Sequence, residues 1–292
     1  MKALKGTGVA MVTPFRPNGS VDFTALTKLT NHLVKGKVDY LVVMGTTGES
    51  ATLSTDEKNA VLDCVVEANN GALPVVLGVG GNNTAAVCQQ LIEMDNDGIS
   101  AILSVSPYYN KPTQKGIFEH YKAVAGANGL PIIVYNVPGR TGSNISAETT
   151  LKLAHEVPGI IAVKEASGDL DQVMSIIKDR PKNFLVISGD DTLSLPMIAA
   201  GADGVISVVA NAYPKQYSKL IANSLEGDFA KARKIQFQLL DLIGMLFEEG
   251  NPAGVKHVLS QLEVCGPKVR LPLVGISRSL ANRLNEEMAK IR

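Results

Sequence analysis

Lys164 closes the apolar run Ile160-Ile161-Ala162-Val163-Lys164. If that run is a strand, its period of two puts Lys164 on the same face as Ala162. Two situations fit such a lysine. It is a solvated rim residue whose stem covers apolar surface, or it is a buried amine that can attack a carbonyl as the neutral nucleophile. Other reactive types stand at the ends of neighbouring apolar runs. In Val134-Tyr135-Asn136-Val137-Pro138-Gly139-Arg140, Tyr135 offers a phenol that can shuttle protons. Arg140 can clamp a carboxylate through paired hydrogen bonds, although a lone loop arginine is also an ordinary exposed residue. Gly45-Thr46-Thr47-Gly48-Glu49-Ser50 gathers backbone N–H groups and hydroxyls suited to a small carboxylate or phosphate. An ordinary turn with capping residues would look the same. Ser106-Pro107-Tyr108-Tyr109-Asn110 sets two of the seven tyrosines side by side, for chemistry or for aromatic packing at a rim or subunit interface.

These groups act together only if the fold brings the run ends to one place. Short apolar, β-branched runs at 8–13, 39–44, 74–79, 100–105, 131–135, 160–164, 184–188 and 203–208 predict strands. Between them lie amphipathic segments, among them 22–35, 55–69, 84–96, 113–127, 147–155 and 169–179. Asp22 precedes one helical run, and Ser54-Thr55-Asp56-Glu57 has the form of a capping box. Continuous apolar strands alternating with helices imply a parallel sheet covered on its faces. Eight such units favour a closed (β/α)8 TIM barrel over an open doubly wound sheet, and in a barrel the strand C-terminal ends share one mouth. We therefore expect a catalytic barrel over 1–224. The strand pattern then stops, and a helical appendage is expected over 225–292: one helix after Asp228, a second opened by Asn251-Pro252 as cap and first-turn proline, and a third from about Ser277.

Composition removes whole classes of function. Of 292 residues, 45% are apolar and 19% charged, which is enough to bury a sizeable core. Formal net charge is zero, so neither nucleic acid nor an anionic membrane is an expected partner. Cys64, Cys88 and Cys265 are odd in number and far apart, which predicts reduced thiols and a cytoplasmic location. The stretch 1–6 leads directly into a short apolar run stopped by Pro14 and does not read as a signal peptide. His32, His120, His155 and His257 are scattered over predicted helices without metal-ligand spacing. Gly78-Val79-Gly80-Gly81 fails as a dinucleotide fingerprint because Asn83 replaces the last glycine. Asp190 and Asp191 read as helix caps rather than metal ligands.

Taken in order, Gly45–Ser50, Pro107–Asn110, Tyr135–Gly142 and Val163-Lys164-Glu165-Ala166-Ser167-Gly168 resemble the dihydrodipicolinate synthase / N-acetylneuraminate lyase superfamily, and its synthase branch most closely. The resemblance spans essentially the whole chain. It implies a Schiff-base lyase that condenses pyruvate with L-aspartate 4-semialdehyde in the diaminopimelate route to L-lysine, without metal or organic cofactor. By the same resemblance, Lys164 carries the imine and Tyr135 relays protons. Thr46 links Tyr135 to Tyr109, which a neighbouring subunit supplies. Thr46 and Thr47 hold the pyruvate carboxylate, and Arg140 binds the aldehyde's carboxylate. Gly189 and Ile206 line the pocket through their backbone. A homo-oligomer is implied, a tetramer built as a dimer of dimers.

In lysine-inhibited relatives, L-lysine binds near the first active-site loop, and Ser50, Ala51, Leu53, Asn82 and Tyr108 match that site. Thr55 and Lys58 stand where histidines occur, and Ala86 where a glutamate occurs. A bound lysine brings ammonium groups that need an anionic partner, so the resemblance implies weak or absent feedback inhibition. Two rivals stay open. A sister lyase for sialic acid or a sugar keto-acid would share Lys164 and Tyr135, with Arg140 and the paired tyrosines against it. A non-catalytic binding module would need no complete set of Lys164, Tyr135 and Thr46.

Overall fold

Every apolar run named above becomes a strand in the computed structural model, which describes residues 4–291. The strands are β1 (Gly6–Ala10), β2 (Tyr40–Val43), β3 (Val75–Gly78), β4 (Ala101–Val105), β5 (Ile132–Asn136), β6 (Ile160–Glu165), β7 (Leu185–Ser188) and β8 (Gly204–Ser207). They pair in sequence order, all parallel, and β8 returns to β1 to close the barrel. Residues 1–3, at the start of the stretch tested for a signal peptide, lie outside the described residues. β1 begins and ends earlier than the pattern predicts. Its ladder stops at Ala10 because the Val12 N–H is taken at 3.1 Å by Asn211 Oδ1 instead of a neighbouring strand.

Closure depends on two glycine positions. A Cβ on Gly204, whose φ is +154°, would lie 2.1 Å from the Gly6 carbonyl oxygen, so only glycine lets β8 approach β1 this closely. A Cβ on Gly8 would lie 2.2 Å from the Tyr40 ring. Gly8 thus makes room for a fully buried tyrosine whose hydroxyl donates to Val205 O at 3.3 Å.

The covering helices are α1 (Phe23–Lys35), α2 (Thr55–Asn69), α3 (Thr84–Glu93), α4 (Gln114–Ala125), α5 (Pro138–Thr141), α6 (Ala147–Glu156), α7 (Leu170–Asp179), α8 (Ser194–Ala199) and α9 (Pro214–Leu225). Asp22 caps α1 by accepting from Ala25 N, and Ser54 with Glu57 forms the full capping box of α2. α10 (Phe229–Glu248), α11 (Ala253–Gln261) and α12 (Arg278–Lys290) follow. α10 packs on α8, α9, α11 and α12.

Two local expectations fail. Pro252, not Asn251, occupies the N-cap position of α11 and has no side-chain cap. Asn251 is drawn away, because its Nδ2 donates to Thr47 Oγ1 at 2.9 Å. Asp190 stabilises its own turn by accepting from Thr192 and Leu193. Asp191, however, does not cap α8. Its Oδ2 accepts from Val208 N and Val209 N at 3.0 and 2.9 Å, tying the end of β7 to the turn after β8.

Candidate active site

Lys164 is 6% exposed and lies in β6, one residue before the strand's last residue. Its register partners are Tyr135 on β5 and Ile187 on β7. Its Nζ stands 4.2 Å from the centroid of the Tyr135 ring. None of the ion pairs among the described residues involves Lys164. The buried-amine alternative is therefore the one the fold adopts, and the rim alternative is not. Ala162, Tyr135 and Ile206 belong to the apolar cluster inside the barrel. Gly189 is required beside the lysine, since a Cβ there would meet Ala166 Cβ at 2.7 Å and Lys164 Cε at 3.0 Å.

A cavity of about 440 Å³ opens at this end of the barrel. The loop after β2 contributes Gly45, Thr46 and Ser50, β5 contributes Tyr135, and the short α5 contributes Arg140. Thr46 and Arg140 are exposed, whereas Thr47 is buried. Lys164, Gly189 and Ile206 do not line this cavity themselves; Lys164 packs against Tyr135, which does. Tyr109 lies outside the lining, is 88% exposed, and holds a left-handed φ of +73°. Of the residues matched to a regulatory site, Ser50, Ala51, Lys58 and Tyr108 border the same cavity. Leu53, Thr55, Asn82 and Ala86 do not line it, although Asn82 Nδ2 donates to the Tyr108 carbonyl at 3.2 Å. Among the described residues, no group of three or more His, Cys, Asp or Glu could hold a metal ion.

The sequence model of the Dihydrodipicolinate synthetase family matches residues 3–291. The chain belongs to this family. It is 52% identical over 285 residues to the 4-hydroxy-tetrahydrodipicolinate synthase of Flavobacterium psychrophilum, covering 98% of this chain and 97% of that one. The crystal structure of dihydrodipicolinate synthase from Aquifex aeolicus superposes with a TM-score of 0.95 at 43% identity, covering 98% of each chain. A monomeric dihydrodipicolinate synthase variant superposes with a TM-score of 0.96 at 36% identity, covering 99% of this chain and 97% of that one.

In this member of the dihydrodipicolinate synthetase family, two polar networks around the strand ends escape a reading of the sequence. On the outer side of β5 and β6, Asn136 Nδ2 donates to both Glu165 oxygens at 3.0 Å. Ser167 N and Gln172 Nε2 donate to the same carboxylate at 2.8 and 2.9 Å. Burial pushes the Glu165 pKa up while those donors pull it down. The signal available beforehand was alternation, which sends Glu165 to the face opposite Lys164. The second network joins Glu49 to Lys256 at 2.5 Å, both side chains fully buried. Burial pushes the Lys256 pKa down, against the attraction of Glu49. Nothing local in the sequence pairs residues so far apart.

Proposed function

We propose that this chain condenses pyruvate with L-aspartate 4-semialdehyde, as a carbon–oxygen lyase of the 4-hydroxy-tetrahydrodipicolinate synthase type in the diaminopimelate route to L-lysine. One observation carries the reading: a buried lysine without a counter-charge, against a tyrosine that lines a cavity. The Lys164 amine adds to the ketone carbon of pyruvate and water leaves, giving a protonated imine. That imine withdraws electrons, so the methyl group releases a proton and becomes an enamine. The enamine carbon attacks the aldehyde, and the oxygen takes up a proton. The substrate's own amine then adds to the imine carbon, closing the ring and freeing Lys164. Covalent catalysis divides one hard carbon–carbon step into easier ones.

Tyr135 relays protons to and from the imine and the new hydroxyl, linked through Thr46 to Tyr109 of a neighbouring copy. Thr46 and Thr47 hold the pyruvate carboxylate, and Arg140 meets the carboxylate of the aldehyde. Gly189 and Ile206 leave room beside the imine through their backbone. No cofactor takes part, because the imine is the electron sink. The shared-site reading is supported by the exposure of Tyr109, and assembly of two such pairs into a tetramer by exposed Phe237, Leu240 and Phe247 on α10. We assign the barrel to 1–224, the appendage to 225–292, and the enzyme to the cytoplasm. No helix among the described residues is long and apolar enough to cross a membrane, and Cys64, Cys88 and Cys265 are unpaired. The test is incubation with pyruvate and borohydride followed by peptide mass mapping. The expected result is a stable adduct at Lys164; its absence in folded protein overturns the reading.

A further inference from the structure

The loop Gly45–Ser50 is held by more than its own turn bonds and Thr13, whose Oγ1 donates to Gly48 O at 2.6 Å. Glu49 adopts φ 53°, ψ 34°, a left-handed conformation that a non-glycine residue keeps only where its surroundings enforce it. The groups that hold its side chain come from the far end of the chain. The buried Glu49 carboxylate accepts from Lys256 Nζ at 2.5 Å and from Arg270 N at 2.9 Å. Lys256 Nζ also donates to Lys268 O at 2.8 Å and stands 4.2 Å from the centroid of the Phe15 ring. Thr47, two positions before Glu49, accepts from Asn251 Nδ2 at 2.9 Å. These three grips span 204, 207 and 221 positions of sequence.

We infer that Asn251, Lys256 and Glu49 are positioning residues for the 2-oxo acid. Through them the C-terminal helices set the height and tilt of the loop, and so the geometry in which Thr46 and Thr47 meet a carboxylate. The inference rests on reading that loop as the pyruvate site. The Lys256 charge is cancelled by Glu49 and does not reach the cavity, so it acts on the ligand only through the loop. Lys164 and Tyr135 sit on β6 and β5, braced separately by the Asn136–Glu165 network. A loosened loop should therefore weaken capture of pyruvate and leave the later chemistry largely intact. Small misplacements of a binding group are enough to matter.

The experiment compares full-length wild type with Asn251→Ala, Lys256→Met and Lys256→Arg. Each is checked for fold by circular dichroism and assayed for both substrates, with amide hydrogen exchange followed over residues 45–53. Asn251→Ala should raise the pyruvate KM about tenfold, the equivalent of one lost buried hydrogen bond. Its kcat and aldehyde KM should stay within about twofold, since those steps use other groups. Lys256→Met should raise the pyruvate KM further, and Lys256→Arg, which keeps the charge, should move it back toward wild type. Exchange over 45–53 should quicken in Asn251→Ala and Lys256→Met. If Lys256→Met fails to fold, Asn251→Ala decides alone. A wild-type pyruvate KM in folded Asn251→Ala, or unchanged exchange over 45–53, overturns the inference. If wild type traps pyruvate and only this comparison fails, the reaction stands and the positioning role falls. If wild type forms no borohydride-stable adduct, both fall together.

Discussion

Lys164 at the end of β6 and Lys256 in α11 are both buried, and each holds its Nζ 4.2 Å from the centroid of an aromatic ring. They differ in what else surrounds them. Lys256 has a buried carboxylate and a carbonyl as partners. Lys164 has a carboxylate as its immediate chain neighbour, yet strand alternation turns Glu165 to the other face, where Asn136, Ser167 and Gln172 occupy it. Burial by itself therefore does not mark a reactive amine. A buried lysine with its charge answered holds structure together; one left unanswered beside a cavity is available for bond making.

The contrast breaks most sharply on deletion of Lys164. Lys164→Ala and Lys164→Arg should each lower turnover by at least about 10³-fold, some 4 kcal/mol, because neither can form the imine. Thermal unfolding should stay near wild type, since no ion pair is lost. Near-normal turnover in either variant would end the mechanism. Lys256→Met should show the reverse balance, costing stability by about 3–5 kcal/mol because Glu49 is left buried and unanswered. Urea unfolding of the single variant and of Lys256→Met with Glu49→Gln checks this: the double substitution should be the more stable of the two. A cost below about 1 kcal/mol in the single variant would show that the pair is idle.

Arg140 is a third cation, exposed at the mouth, and its contribution should be smaller. Arg140→Ala should reduce kcat/KM for the aldehyde by about 1–3 kcal/mol, as expected for a wet charge-assisted contact. Borohydride trapping of pyruvate at Lys164 should survive, and failure of trapping in folded protein would reverse the assignment of the two carboxylates.

His120 extends the comparison to a buried base that is not a lysine. Its Nδ1 meets Thr84 Oγ1 at 2.9 Å, its Nε2 has no partner, and burial pushes its pKa down to about 4 from the usual 6.5. Between pH 6.5 and about 4 the unfolded chain binds this proton and the folded chain resists it. Stability should fall as pH drops through that window, by at most about 1.4 kcal/mol per pH unit from this group. Burial raises Glu165 and Asp191, which act in the opposite sense but are common to both chains compared. His120→Gln should flatten the slope relative to wild type; superimposable unfolding profiles would exclude the effect. The smallest effect is expected from added L-lysine. Lys58 borders the cavity beside Ser50 and Tyr108, and Ala86 offers no anion to a ligand ammonium group. Activity titrated at low and saturating pyruvate should scarcely change, and strong inhibition at submillimolar lysine would refute this.

Much of the fold was legible because barrel signals are local. Continuous apolar runs mark all eight strands, Asp22 and Ser54 announce their helices, and alternation alone puts Lys164 and Ala162 on one face. Three helices were not among the segments the pattern picks out. α5 and α8 are too short for periodicity to show, and α9 opens on Pro214 without a side-chain cap. At the site, the residues that could do chemistry stand at strand ends and were nameable. Their supports were not. Asn251 reads as a helix cap from its neighbour Pro252 and instead serves Thr47, and Glu49 finds its partner only because α11 folds back over the loop. Contacts made by topology leave no local trace.

The reach of Glu49 also sets an order in time. The eighth strand ends at Ser207, whereas Lys256 and Arg270 come later in the chain. At about 5–20 residues per second, residues 208–270 follow that strand off the ribosome by several seconds. During that interval the loop has only its own turn bonds and Thr13, without the grips of Asn251, Lys256 and Arg270. A chain complete through Ser207 therefore still lacks the counter-charge of Glu49. The last of these contacts is added only when Arg270 arrives.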